Sequence, residues 1–410
     1  MKAWLSQNGV SYDARLLTDP ANRSEAAAFG TGASPLTVIG GKAHWGFDRK
    51  GLTAALEWAG LSTTGVQAKR ESKVRLAARA PIAEAIAVTN FLDDTVTLLH
   101  APTGRYLGES LETSGIAVPG NPIVVEATPF GTAVVVSYEA GTMTWLSLRD
   151  AGYLHGSLEA STVATGAMPL YALAHPKEPL VYVTNSESRS ITLFDARTGG
   201  YARGSLERSQ FAVPGQPGIA ALDAARGVLF VRLREGAVVL YDAITMQPAR
   251  GTLEASTIKI GRGRGVALSH DKRILYVPEA LGAADGLALY DAHSGQLLFG
   301  TRERSVLPTA PTPFAIAAHP SRSIVYVSCF GNQIIEYRDG ATGAHLRGTA
   351  EASSVKVGSG ARAMLVDPRH EVLYVSCYDE GAVYMFDALT GATRSVIKVG
   401  RGPRGMALLG

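Results

Sequence analysis

Three arginines in the second half of the chain have the chemistry of an anion-binding site. Arg264, Arg362 and Arg404 each stand near the start of a short apolar segment that recurs along the chain. A guanidinium group stays charged and presents a planar fork of N–H donors that fits a carboxylate or a phosphate. If the fold brings the three together, the sequence predicts a cationic mouth for an anionic small molecule or peptide.

Other residues hold related positions in the same repeating pattern. Asn90, Asn185 and Glu279 end apolar segments, and Phe314 begins one. We expect Asn90, Asn185 and Phe314 to line the ligand site beside the arginines, and Glu279 is the candidate general base if the protein is an enzyme. In the alternative interpretation, the arginines only bond loop carbonyls and Glu279.

Cys329 and Cys377 are the only two cysteines, and they end equivalent segments in neighbouring repeats. They form a candidate thiol pair, either reactive or metal-binding. The other interpretation is that both are reduced, buried side chains that fill small gaps. No histidine occupies the equivalent positions, so the sequence predicts no metal site, and it identifies no cofactor.

The elements that must position these residues follow from an internal repeat. One valine marks the same apolar strand seven times, at intervals of 46 to 50 residues: Val88, Val136, Val183, Val231, Val277, Val327 and Val375. Around it, each repeat carries a second alternating run, a turn with Asp, Thr and Gly, and two further apolar segments. Four strands in each of seven repeats predict a mainly-β fold, a seven-bladed β-propeller.

The ends of the chain indicate how the ring closes. The marker strand at Ile86 has no good innermost segment before it, whereas residues 401–409 supply one at the C-terminus. We expect this last strand to become the innermost strand of the first blade. Such closure removes free sheet edges.

The strand Val181–Asn185 reads VYVTN, and Asp195, Asp242, Asp291 and Asp387 close the strands that follow the markers. In these features residues 83–410 resemble the YVTN β-propeller repeat proteins. The resemblance implies the propeller fold. It leaves the activity open, because propellers of this kind include ligand binders, lactone hydrolases and scaffolds.

The first sixty residues follow a different pattern, in the order α, β, α, β, turn, α. The strings GVSYDARLL, SPLTVIGG and GFDRKGLTAAL resemble a glutaredoxin, whose thioredoxin fold this implies for residues 1–60. By that resemblance Pro35 is the cis-proline that faces the thiol site, and Leu36–Ile39 is the next strand. The family's first strand and redox cysteines are absent, so this segment cannot perform dithiol chemistry. Residues 61–82 are the predicted linker.

Two explanations of the shortened domain stay open. Either translation starts upstream of Met1 and supplies the missing strand, or the domain is degenerate and retained for binding or oligomer contacts.

Composition excludes several classes of protein. The formal net charge of +3 is too small to indicate a nucleic-acid partner. No apolar run reaches the length of a membrane span, and no secretion signal precedes the repeats. We therefore expect a cytoplasmic protein, or an exported one if the true start lies upstream.

Together these features favour a ligand-binding or partner-binding propeller, with a thiol compound such as glutathione as one candidate ligand. The alternatives are a lactonase-like hydrolase or a metal-dependent enzyme at the same mouth, and a protein interaction scaffold. Whether the protein is an enzyme is left open by the sequence.

Overall fold

The computed structural model describes residues 36–39, 42–45, 84–280 and 285–409. The chain divides into two compact units, Met1–Arg75 and Leu76–Gly410. In the first unit, strands Leu36–Ile39 and Lys42–Trp45 pair antiparallel, with Leu36 opposite Trp45. The first of these strands was predicted from the sequence. The predicted glutaredoxin-like helices, Pro35 and the linker lie outside the described residues.

The second unit contains seven four-stranded antiparallel sheets, which confirms the seven-bladed β-propeller. The innermost strands of blades two to seven are Pro122–Ala127, Pro169–Ala174, Pro217–Asp223, Ala267–Leu268, Pro313–Ala318 and Ala361–Asp367. The second strands of blades one to seven are Ala85–Asn90, Thr132–Ser137, Leu180–Asn185, Val228–Leu233, Ile274–Glu279, Ile324–Cys329 and Val372–Cys377.

The two outer positions in each blade complete the sheets. The third strands are Thr95–His100, Thr142–Ser147, Ser190–Asp195, Ala237–Asp242, Gly286–Asp291, Ile334–Asp339 and Ala382–Asp387. The outermost strands are Gly115–Ala117, Thr162–Ala164, Gln210–Ala212, Thr257–Lys259, Val306–Pro308, Ser354–Lys356 and Thr393–Lys398. Short helical turns at Glu112–Ser114, Leu206–Ser209 and Arg302–Ser305 lead into three of these strands.

The C-terminal strand Pro403–Leu409 closes the ring, since it is the innermost strand of blade one and pairs with Ala85–Asn90. The two ends of the propeller therefore share one sheet, which is the closure expected from residues 401–409. No helix in the described part of the chain has the length and hydrophobicity of a membrane-spanning segment.

A separate apolar core lies between each pair of neighbouring blades, including blades seven and one. Each second strand is covered on both faces, so its side chains are buried without alternation, as in Val372–Cys377. This explains why the marker strands read as continuous apolar runs.

Tyrosines in the marker strands also bond neighbouring blades. The Tyr182 hydroxyl donates to the Ala243 carbonyl at 2.8 Å, and Tyr326 donates to Ala388 at 2.9 Å. Tyr374 in blade seven donates to Ala101 in blade one. The tyrosine of the repeat motif therefore fixes one sheet against the next, and buried hydroxyl groups need such partners.

Candidate functional site

The innermost strands carry an irregularity near their first residue in six of the seven blades. There the innermost strand has one residue more than its partner, for example between Ala361 and Ala363 in blade seven. The residues that follow the first position are Ile123, Leu170, Gly218, Phe314, Arg362 and Arg404. A β-bulge re-aims a side chain out of the regular ladder. Arg362, Arg404 and Phe314 therefore owe their positions to bulges.

The structure brings the three predicted arginines into one cluster with aromatic rings. The guanidinium carbon of Arg404 lies 4.2 Å from the Phe91 ring centroid and 5.3 Å from that of Tyr378. Arg362 lies 4.6 Å from the Tyr378 ring and 5.6 Å from Phe314.

Arg264 joins the same cluster through Phe314, whose ring centroid lies 5.1 Å from its guanidinium carbon. Phe314 and Phe330 stack with centroids 4.2 Å apart. Phe91 lies 6.4 Å from Tyr138 and 6.2 Å from Tyr378. We call this set the mouth cluster: Arg264, Arg362, Arg404, Phe91, Tyr138, Phe314, Phe330 and Tyr378.

Sequence reasoning missed three of these rings because it considered the last residue of each second strand. Phe91, Phe330 and Tyr378 are each one residue further on, after Asn90, Cys329 and Cys377. The signal was present in the repeat alignment, as an aromatic residue directly after the strand in blades one, two, six and seven. Only the strand pairing shows that this position, and not the one before it, contacts the arginines.

The mouth cluster carries positive charge without a carboxylate. Among the described residues, none of its three arginines forms a salt bridge. Burial, followed by the charge of Arg362, lowers the pKa of Arg404, while the phenol of Tyr378 acts in the opposite direction. Burial, Arg234 and Arg362 also lower the pKa of Arg264. The Nε atoms of Arg362 and Arg404 are buried and have no hydrogen-bond partner.

Arg264 is held by a loop and not by a bulge, because the innermost strand of blade five is only Ala267–Leu268. The buried guanidinium of Arg232 donates to the carbonyls of Gly265 and Gly261, both at 3.0 Å. A Cβ atom at Gly263 would collide with the carbonyl of Pro278. Arg232 and the glycines therefore shape the loop that presents Arg264.

Glu279, the candidate general base, is engaged by partners within the fold. Its side chain is fully buried. One carboxylate oxygen pairs with Arg302, and the other accepts the Gly261 N–H at 2.8 Å and the Tyr290 hydroxyl at 3.3 Å. A buried carboxylate with these three partners helps to hold the loop that carries Gly261 against blade five.

Asn90 and Asn185 end equivalent second strands and are also fully buried. Asn185 accepts the Gly166 N–H at 3.0 Å and donates to Thr192 at 2.9 Å. Asn90 donates to Thr97 at 2.8 Å. The structure turns both side chains into their blades, and it does not join them to the mouth cluster.

Cys329 and Cys377 are free and buried, and they belong to different inter-blade cores. Burial raises the pKa of Cys377 to about 12 and raises that of Cys329 as well. Thiols in this state are poor nucleophiles at neutral pH. No group of three or more His, Cys, Asp or Glu side chains suited to a metal ion occurs within the described ranges.

The sequence matches no protein-family profile. No curated protein matches it either. Solved structures with the same fold include a putative 6-phosphogluconolactonase from Bacteroides fragilis, with 15% identity and a TM-score of 0.58 over 80% of this chain and 98% of that one.

Two further solved structures are similar. A functionally unknown protein from Desulfotomaculum acetoxidans has 12% identity and a TM-score of 0.59 over 80% of this chain and 99% of its own. Dihydro-heme d1 dehydrogenase NirN, solved in complex with DHE, has 12% identity and a TM-score of 0.53 over 81% of this chain and 77% of its own. At these identities the similarity shows the β-propeller fold alone.

Proposed function

We propose that the propeller binds an organic anion at the mouth cluster. The observation that carries this proposal is the convergence of Arg264, Arg362 and Arg404 on shared aromatic rings without a carboxylate partner among the described residues. Like charges held close together in a partly dry site repel each other. A carboxylate or phosphate between them removes that repulsion and supplies the missing acceptors.

Other buried arginines of this protein show what a structural arginine looks like. Arg338 pairs with Glu336 at 2.7 Å and donates to the carbonyls of Pro308 and Gly343. Arg232 holds two loop carbonyls. Within the described ranges, the mouth arginines have neither a carboxylate nor a loop carbonyl as a partner, so the alternative that they only bond loop carbonyls and Glu279 is not favoured.

The anion class includes a carboxylate-bearing peptide or a thiol compound such as glutathione. A lactonase-like hydrolase at the same mouth is the weaker candidate, because Glu279 is engaged with Arg302 and Gly261. The mouth cluster without Glu279 can bind an anion, but its eight residues include no carboxylate or imidazole to activate water. A scaffold function is not favoured by any specific contact.

Isothermal titration of the purified protein with phosphate, citrate and glutathione tests this proposal. Each charge-assisted hydrogen bond is worth about 1.5–3 kcal/mol, so loss of two arginines should weaken binding by more than about tenfold. The variant is Arg362→Ala with Arg404→Ala. Its control is Arg105→Ala with Arg197→Ala, which removes the same charge from exposed arginines at the other end of the blades.

We expect the control to bind as the wild type does. Equal binding by the mouth variant and the control would overturn the proposal, as would the absence of binding to any anion of the panel.

A further inference from the structure

The mouth cluster holds more aromatic surface than an anion site needs. Its five rings come from blades one, two, six and seven, and each ring remains partly exposed. Four of them lie just beyond the ends of the second strands, where Tyr138 and Phe330 also pack against the edges of inter-blade cores. These rings are available to a ligand because their position leaves part of each one uncovered.

The rings and guanidinium groups form one continuous arc. Tyr138, Phe91 and Tyr378 follow each other at centroid distances of 6.4 and 6.2 Å. Arg362 connects Tyr378 to the Phe314–Phe330 stack, since its guanidinium carbon lies 4.6 Å from the first ring and 5.8 Å from Phe330. Positive charge therefore lies between rings at two places on the arc, at Arg404 between Phe91 and Tyr378 and at Arg362 between Tyr378 and the Phe314–Phe330 stack.

Both kinds of group favour a flat ligand surface. Aromatic rings pair with other rings in offset or edge-on contact, and a guanidinium plane is weakly hydrated and stacks on conjugated systems. The N–H donors of a guanidinium lie in its own plane, so a group over an aromatic face can still bind an anion at its edge. The Nε atoms of Arg362 and Arg404 are buried without a hydrogen-bond partner among the described residues, as is that of Arg232, so a ligand would meet the outer N–H groups of the two mouth arginines.

We propose, resting on the anion-binding function above, that the ligand is a flat conjugated molecule that carries at least one carboxylate or phosphate. Its ring system lies against Phe91, Tyr378 and the guanidinium planes. Its anionic group accepts from Arg362 and Arg404. A small aliphatic anion satisfies only the charge and leaves the rings uncovered.

Matched ligand pairs test this inference by isothermal titration. Terephthalate is compared with trans-cyclohexane dicarboxylate, and adenosine monophosphate with ribose phosphate; each pair keeps the anion and changes the flat group. We expect the conjugated member of at least one pair to bind about tenfold more tightly, because stacking on aromatic side chains contributes about 1–3 kcal/mol. The two pairs distinguish a carboxylate from a phosphate ligand.

The aromatic contribution is tested by Phe91→Leu and Tyr378→Leu. Both should reduce the ratio of the affinity for the conjugated ligand to that for its saturated counterpart. The control is Phe130→Leu, because Phe130 also lies under a guanidinium, that of Arg197 at 4.7 Å, but at the other end of the blades. Thermal unfolding of each variant confirms that it is folded.

The outcomes separate the two proposals. Equal affinities within both pairs would overturn this inference and leave anion binding intact. No binding by any of the four ligands would overturn both.

Discussion

The hairpins that join innermost and second strands lie at the other end of the blades from the mouth cluster, and several of their charges are paired. Glu371 accepts from Arg322 at 2.6 Å and from His319 at 2.9 Å, and Asp367 bonds His370 at 2.7 Å. At the mouth, three arginines share rings and have no carboxylate among the described residues. Both ends belong to the same repeated sheets, so the fold alone does not require unpaired charge.

This difference in charge pairing distinguishes residues that stabilise the propeller from residues that are proposed to bind a ligand. The paired charges at the hairpins satisfy each other within the folded protein. The mouth arginines retain unsatisfied donors in the folded protein, which is a cost that a binding site can justify.

The largest expected contrast is between a paired and an unpaired arginine. Arg338→Ala should lower the free energy of unfolding by about 3–5 kcal/mol, because it leaves the buried Glu336 carboxylate without its partner. Arg362→Ala should change it by less than about 1 kcal/mol, since only cation–π contacts are lost. Urea unfolding measures both variants. A large loss in Arg362→Ala would mean that the mouth arginines stabilise the fold.

Glu126 and Glu371 are expected to affect the pH dependence of stability in opposite directions. Burial raises the pKa of Glu126, on the innermost strand of blade two, from 4.5 to about 7, while the Ala174 N–H acts to lower it. The folded state then binds the proton more tightly than the unfolded state. The contribution of Glu126 to stability therefore falls as pH rises from 4.5 to about 7.

Glu126→Gln should accordingly gain stability relative to the wild type between about pH 5 and pH 8, measured by urea unfolding across that range. Glu371→Gln is the matched control. Arg322 and His319 lower the pKa of Glu371 against the effect of burial, so its contribution is present above its unfolded pKa and lost as pH falls. Parallel profiles for the two variants would contradict the assignment of Glu126 as a buried, proton-binding group.

The smallest expected effect concerns the cysteines. Cys329 and Cys377 should resist a disulfide reagent at neutral pH in the folded protein and react at once in denaturant, because burial disfavours both thiolates. Absorbance of the released thiol measures the rate. Rapid reaction of either thiol in the folded protein would restore the reactive thiol pair predicted from the sequence.

Sequence reasoning predicted the fold well because the same pattern of apolar strands and turn residues recurs seven times. Each second strand must be apolar on both faces, and each third strand ends in a turn where Asp accepts backbone N–H groups, as Asp195 does from Thr198 at 2.8 Å. Such signals are local, so they survive in a single sequence. The convergence of Arg264, Arg362 and Arg404 also followed from the repeat, because equivalent positions in a closed ring face the same axis.

The rest of the site depended on contacts that the repeat does not encode. Asn90, Asn185 and Glu279 hold equivalent positions, yet the structure turns them into the blades, where they bond to neighbouring loops and strands. The residues at the mouth are one position further on, and Phe91, Phe330 and Tyr378 follow the strand ends Asn90, Cys329 and Cys377. Side-chain direction alternates along a strand, so an error of one position reverses inside and outside.

The amino-acid sequence by itself determined the seven sheets, the closure by Pro403–Leu409 and the blades that carry the three arginines. The physical reason is that each recurring apolar strand must be covered on both faces, which a closed ring of sheets provides. The tertiary structure alone decided which polar groups are satisfied. Bulges aim Arg362 and Arg404 at shared rings, whereas Arg302 and Gly261 engage Glu279. Glu279 ends a strand and Arg302 begins a short helical turn, and only the folded chain brings them within hydrogen-bonding distance.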